Sequence, residues 1–113
     1  MAYRWRLIQE IRYGHFGDYM KTWAKLDSIL RERGWVTSRV LVPTAGPNNQ
    51  FVAEFEYPDL AVYERENKAF YSDHEAFEAF QAGAEFVVQG TARTELYEDL
   101  PLEFFGEDLA DQS

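Results

Sequence analysis

The chain has 113 residues, enough for one domain that buries roughly two-thirds of its unfolded surface. Twenty acidic residues against eleven basic ones leave a net charge of −9, which excludes nucleic acid and anionic membrane surfaces as expected partners. Aromatics make up 17% of the chain, cysteine is absent, and no apolar run approaches the ~20 residues of a membrane span. The expected setting is a reducing cytoplasm, without disulfide or thiolate chemistry. The first residues enter an alternating pattern directly, so no signal or transit peptide is expected.

Tyr3–Arg12 alternates as a strand does, with Tyr3, Trp5, Leu7, Gln9 and Ile11 on one side and Arg4, Arg6, Ile8, Glu10 and Arg12 on the other. Tyr13-Gly14-His15-Phe16-Gly17 breaks the pattern as a turn. Asp18 is then a candidate cap for a helix whose apolar stripe is Phe16, Tyr19, Met20, Trp23, Leu26, Ile29 and Leu30. Arg31 and Arg33 suit the negative end of its dipole, and Gly34 suits its stop.

Trp35–Tyr57 reads as a β-hairpin at the centre of the chain. Val36, Val40 and Val42 alternate with Thr37, Arg39 and Leu41; Phe51, Ala53, Phe55 and Tyr57 alternate with Val52, Glu54 and Glu56 on the return. Ala45-Gly46-Pro47-Asn48-Asn49 supplies the turn chemistry between them. Asp59 caps a second helix with Leu60, Tyr63, Asn67 and Phe70 along one edge, and Ser72-Asp73 offers a second cap where the helical region bends. Glu75–Val88 continues as helix with Phe77, Phe80, Ala84 and Val87 on a stripe, and Gly90 lies just past its end. Thr91–Tyr97 is the last strand. Residues 98–113 form an acidic tail that carries an apolar group, Leu102, Phe104 and Phe105. Those three side chains are expected to dock on the domain or on a partner subunit, since each gains roughly 1.5–3 kcal/mol on burial.

The order βαββαβ predicts an α+β, ferredoxin-like domain over residues 1–97, a four-stranded antiparallel sheet with its helices on one face. The other face is expected to carry Arg4, Arg6, Glu10, Arg12, Arg39, Glu54, Glu56, Arg93 and Glu95. Two readings are open for it: a solvated face with weak cross-strand ion pairs, or a face that meets its copy across a dimer.

The strand order, Gly14-x-Phe16 opening the first helix and the Gly46-Pro47-Asn48-Asn49 turn resemble the dimeric α+β-barrel superfamily. Within it, Phe55-Glu56-Tyr57-Pro58-Asp59-Leu60-Ala61, Glu64-Arg65 and Ser72-Asp73-His74-Glu75-Ala76-Phe77 resemble NIPSNAP-like proteins. Relatives often carry Pro at the position of His74 and Trp near Phe77, and this chain departs at both. The resemblance implies a homodimer with facing sheets. It implies little chemistry, since the superfamily holds monooxygenases, isomerases, haem-degrading enzymes and proteins of no known activity.

Candidate chemistry is sparse. There is no P-loop, GxGxxG, HExxH, GxSxG or CxxC pattern, so no cofactor or metal is expected, and a cofactor-free oxygenase or isomerase needs none of them. His15 sits in a strand-to-helix loop, where an imidazole serves either as a proton-transfer group or as a surface-turn residue. His74 heads a helical segment and lacks a second ligand at metal spacing. Tyr19 and Trp23 are i, i+4 on the first helix and line either core or pocket. If a pocket exists, it is expected at the end of the first strand, with His15 at its mouth, Tyr19 and Trp23 along its wall, and Arg12 or Arg39 orienting a carboxylate or enolate oxygen.

Three functions are compatible with this pattern: a homodimer that binds a small hydrophobic or aromatic molecule, a small cofactor-independent monooxygenase or isomerase, and a purely structural dimerisation module. A cavity of about 300 Å³ or more reaching His15 or Arg39 favours ligand chemistry, and a fully packed helix–sheet layer favours the structural role.

Overall fold

The computed structural model describes residues 2–103 and 105. The chain runs β1 (Tyr3–Glu10), α1 (Phe16–Glu32), β2 (Ser38–Leu41), β3 (Gln50–Tyr57), α2 (Leu60–Ser72), α3 (His74–Gln81), a single 3₁₀ turn (Ala84–Phe86) and β4 (Arg93–Glu98). All pairings are antiparallel and the sheet order is β2-β3-β1-β4. This is the ferredoxin-like arrangement read from the sequence, with β1 at the interior of the sheet. Among the described residues no helix is long and apolar enough to cross a membrane.

Alternation along β1 sorts the two faces. Leu7, Gln9 and Ile11 are buried with Ala53, Phe51 and Phe55 of β3 under Tyr19, Trp23, Leu26, Ile29 and Leu30 of α1. The largest fully enclosed side chains are Phe51 and Ile11. Arg4, Arg6, Ile8 and Glu10 take the opposite face, in register with Glu56, Glu54, Val52 and Gln50 of β3. There Arg4 and Arg6 converge on Glu54, at 3.3 Å and 2.9 Å, and Arg4 also reaches Glu56 and Asp99 at 3.5 Å and 3.0 Å. The Arg6 guanidinium lies over the Tyr97 ring, 5.1 Å from its centre. The expected charged face is therefore present, organised around one nearly buried carboxylate, except that Arg12, expected on it, lies beyond the end of β1 and turns to the other side of the sheet.

Several element ends differ from the periodicity, each because a specific partner takes the backbone. β1 stops at Glu10 rather than Arg12, since the Ile11 amide donates to the Asn49 carbonyl (2.8 Å) and the Arg12 amide to that of Phe86 (2.7 Å). β2 begins at Ser38, because the Val36 amide is bound by the Glu66 carboxylate of α2 at 2.8 Å. His15, not Asp18, occupies the N-cap of α1, and neither residue's side chain caps its amides. The C-terminus of α1 closes as expected: Gly34, at φ 72°, lets the Trp35 and Gly34 amides donate back to Leu30 and Arg31.

Asp59 and Asp73 cap α2 and α3, accepting from the amides of Val62 (2.8 Å) and Ala76 (3.0 Å). Arg33 binds Asp73 (2.8 Å) and Glu75 (3.0 Å), which ties the end of α1 to this junction. The predicted helix over 75–88 ends at Gln81, and its buried positions are Ala76 and Ala79 rather than Phe77 and Ala84. Close approach of Gly83 to α1 accounts for the break: a Cβ there would stand 2.8 Å from the Thr22 hydroxyl oxygen. β4 begins at Arg93, two residues later than expected, because the Thr91 hydroxyl accepts from the Glu10 amide (3.2 Å) and donates to the Val88 carbonyl (2.6 Å).

The acidic stretch is partly integrated. Glu98 belongs to β4, and the Asp99 amide donates to the Ala2 carbonyl at 2.8 Å. Leu102 and Phe105 stand exposed on the single chain, and Phe104 lies outside the described residues.

Candidate functional site

The segment after α3 creates a cleft by crossing the end of β1 as a strap. The Val88 amide donates to the Glu10 carbonyl at 2.8 Å, Val87 forms an isolated bridge with Ile11, and the Thr91 hydroxyl binds this turn from within. Gly90, at φ 83°, reverses the strap toward β4. Between the strap, β1 and α1 lies a cleft of about 340 Å³. Gln9, Tyr19 and Phe80 line its inner part, and Arg12, Val87 and Val88 its outer part.

Its inner polar pair is Tyr19 and Gln9. The Tyr19 hydroxyl donates a short hydrogen bond to the Gln9 side-chain carbonyl, and both residues are buried. Burial pushes the Tyr19 phenol well above its ordinary range, so it is a neutral donor and not a base at physiological pH. At the outer end Arg12 is exposed and makes no ion pair among the described residues. That contrasts with Arg4, Arg6, Arg31 and Arg33, each held by a carboxylate. A guanidinium without a carboxylate, beside apolar walls in an acidic protein, is positioned to bind an anionic group.

A second, smaller space of about 100 Å³ lies between α1, α2 and the sheet. Trp5, Trp23, Phe55, Tyr57, Phe70 and Phe80 are among its walls, so it is rich in aromatic rings, with leucines beside them and Glu66 and Asn67 of α2 at its edge. It exists because α2 packs loosely: none of its residues is fully buried, and Leu60, expected on the inner edge, is exposed. Phe80 borders both spaces.

The residues singled out from the sequence are thus divided. Arg12 and Tyr19 share the larger cleft, at the end of β1 where a pocket is expected. Trp23 borders the smaller space, and its indole N–H donates to the Ser38 hydroxyl at 3.0 Å. His15 borders neither: its ring stacks on Phe86 at 5.5 Å and its Nδ1 lies 3.1 Å from Asp18. Arg39 is on the opposite face of the sheet, opposite Glu54 in register, and takes no part in either space. The parity of β2 separates it from the cleft. His74 is a surface residue paired with Glu78 at 2.9 Å. Sequence reasoning missed Gln9, Phe80 and the strap. Gln9 did leave a signal, as the one polar member of the apolar row of β1.

No family model matches the sequence, and no curated protein matches it. Solved structures do share its fold. A NIPSNAP family protein from Agrobacterium tumefaciens superposes with a TM-score of 0.70 at 14% identity, over 88% of this chain and 94% of that one. An uncharacterized NIPSNAP-like domain protein from Burkholderia xenovorans gives 0.71 at 14% identity, over 88% and 85% of the two chains. An antibiotic biosynthesis monooxygenase gives 0.67 at 12% identity, over 88% and 99%. The resemblance read from the sequence therefore holds at the level of the fold.

Proposed function

We propose that this chain is a NIPSNAP-like protein that works as a homodimer and binds a small hydrophobic or aromatic molecule in the cleft at the end of β1. The observation that carries this reading is the cleft itself. Its volume of about 340 Å³ lies within the ~300–1,000 Å³ typical of small-molecule sites, its walls are mainly apolar, and the cation it reaches is Arg12 rather than His15 or Arg39. Arg12 is the group assigned to orient a carboxylate or enolate oxygen at the mouth, with Tyr19 and Val87 against the ligand's body. Dimerisation through the charged sheet face is supported by Leu41 and Tyr97, large side chains that share the face of Arg4 and Ile8 and stand exposed on the single chain.

Native mass spectrometry of freshly purified protein tests both parts together. The expected result is a mass of two chains with a retained small molecule that Arg12→Ala releases. The interface should exceed ~1,000 Å². A monomer at micromolar concentration removes the dimer, and a retained ligand indifferent to Arg12→Ala removes the cleft assignment.

The second reading is a cofactor-independent monooxygenase or isomerase, supported by the fold shared with the antibiotic biosynthesis monooxygenase. In it Arg12 steadies an enolate oxygen, and His15, stacked on Phe86 outside the cleft, passes the proton through an intervening water. Under this reading His15→Ala abolishes turnover in a screen of aromatic substrates. Under the first it leaves ligand retention unchanged, because His15 does not line the cleft.

A further inference from the structure

We propose that Phe80 is the partition between two compartments of one elongated ligand site, and that this side chain sets the length of ligand the protein accepts. The proposal rests on the cleft being a ligand site and adds its second compartment and its specificity determinant.

Phe80 borders both the outer cleft of about 340 Å³ and the aromatic space of about 100 Å³ beneath α2. Its ring meets Trp23 at 6.4 Å and Phe70 at 5.8 Å, edge to face in both cases. The neighbouring pair on α1 is divided in the same way: Tyr19 faces the outer cleft and Trp23 the inner space, 6.2 Å apart. From the mouth inward the walls pass from an arginine lacking a carboxylate partner, to the Tyr19–Gln9 pair, to Phe80, to a chamber of aromatic rings. That gradient fits an amphipathic monocarboxylate with its head at Arg12 and its chain directed inward.

The inner chamber can accept a chain end without disturbing the sheet. Its outer cover, α2, buries none of its side chains fully, and Tyr63, Phe70 and Tyr71 line the chamber alongside Glu66 and Asn67. Phe80 itself is only partly buried, on a helix whose tightly packed positions are Ala76 and Ala79. Shortening its side chain therefore opens the wall between the spaces and leaves the α1–α3 contact in place.

Straight-chain carboxylates from hexanoate to tetradecanoate, titrated calorimetrically into the full chain, test the proposal. Each methylene newly buried should tighten binding about fourfold, from ~0.8 kcal/mol per CH₂. In the wild-type protein this increment is expected to stop where the chain meets Phe80. In Phe80→Ala it continues for several further methylenes, and in Phe80→Trp it stops earlier. Terminally brominated chains supply a second readout, because a bromine that reaches the inner chamber quenches tryptophan fluorescence, Trp5, Trp23 and Trp35 all lining that chamber. Quenching is expected in Phe80→Ala and not in the wild type; Phe80→Leu serves if the alanine variant fails to fold.

The same limiting chain length in the wild type and the folded variants overturns the partition while leaving the cleft reading intact. Binding of no chain length by the wild type overturns the cleft reading and the partition with it.

Discussion

Trp23→Ala is expected to lower the stability of the fold by about 3–5 kcal/mol, the range for removing a buried aromatic side chain. Trp23 is 6% exposed and its ring meets those of Phe51, Phe55, Tyr19 and Phe80 at 5.1, 6.4, 6.2 and 6.4 Å. It therefore joins α1 to β3 and α3 at once. Truncation also strips the Ser38 hydroxyl of its indole donor, at the first residue of the short strand β2. Domains of this kind have only about 5–15 kcal/mol in total, so one such loss is a large share. Urea denaturation should show a lower midpoint with an unchanged slope. Trp23→Phe keeps most of the ring contacts and gives up the hydrogen bond, for about 1 kcal/mol. An alanine variant that loses less than that would mean that Trp23 borders an unfilled space more than it packs a core.

Glu54→Gln is expected to cost about 1.5–3 kcal/mol of stability, the range for hydrogen bonds to charged groups, and to weaken the proposed dimer by at least tenfold. Glu54 is 7% exposed and sits between Arg4 and Arg6. Arg4 keeps Glu56 and Asp99 after the substitution, whereas Arg6 loses its only carboxylate partner among the described residues. Two copies meeting through this face would then bring uncompensated guanidinium groups together. Sedimentation equilibrium and a urea melt measure the two effects separately.

The same carboxylate gives a pH signature. Burial alone would raise its pKa, but hydrogen bonding and charge from Arg6, then from Arg4, outweigh burial and hold it below the ordinary carboxylate range. A group with a depressed folded-state pKa adds stability that is fully present above its unfolded value, ~4.3 for Glu. That contribution is lost as pH falls through the folded value. Wild-type stability should fall on acidification below about pH 4.3, and the fall should be shallower in Glu54→Gln.

Most of the fold was legible because its signals are local. The α1 stripe from Phe16 to Leu30, the stop at Gly34, the caps Asp59 and Asp73 and the alternation of β1 each act within a few residues. The charges of the second sheet face followed from the same alternation. What escaped was decided by contacts distant in sequence. The end of α3 depends on Gly83 meeting Thr22, and the start of β2 on Glu66 binding the Val36 amide. The cleft was half legible for the same reason. Its position at the end of β1 and its residues Arg12 and Tyr19 followed from the chain order, but the strap that walls it is held by backbone bonds to β1. Arg39 was grouped with the site as a guanidinium to orient an oxygen, although the alternation of its strand set it on the charged face, where it stands opposite Glu54.

The sheet order has a consequence for biosynthesis. β1 leaves the ribosome first, yet it is flanked by β3 on one side and by β4 on the other. At ~5–20 residues per second, the chain between them takes on the order of several seconds to emerge. Through that interval β1 can pair with β3 while its other edge, from Tyr3 to Ile8, still awaits residues 93–98. An unpaired edge is a template for another chain. Once β3 pairs, Arg4 and Arg6 are already matched to Glu56 and Glu54, so closure of this edge waits on β4 itself.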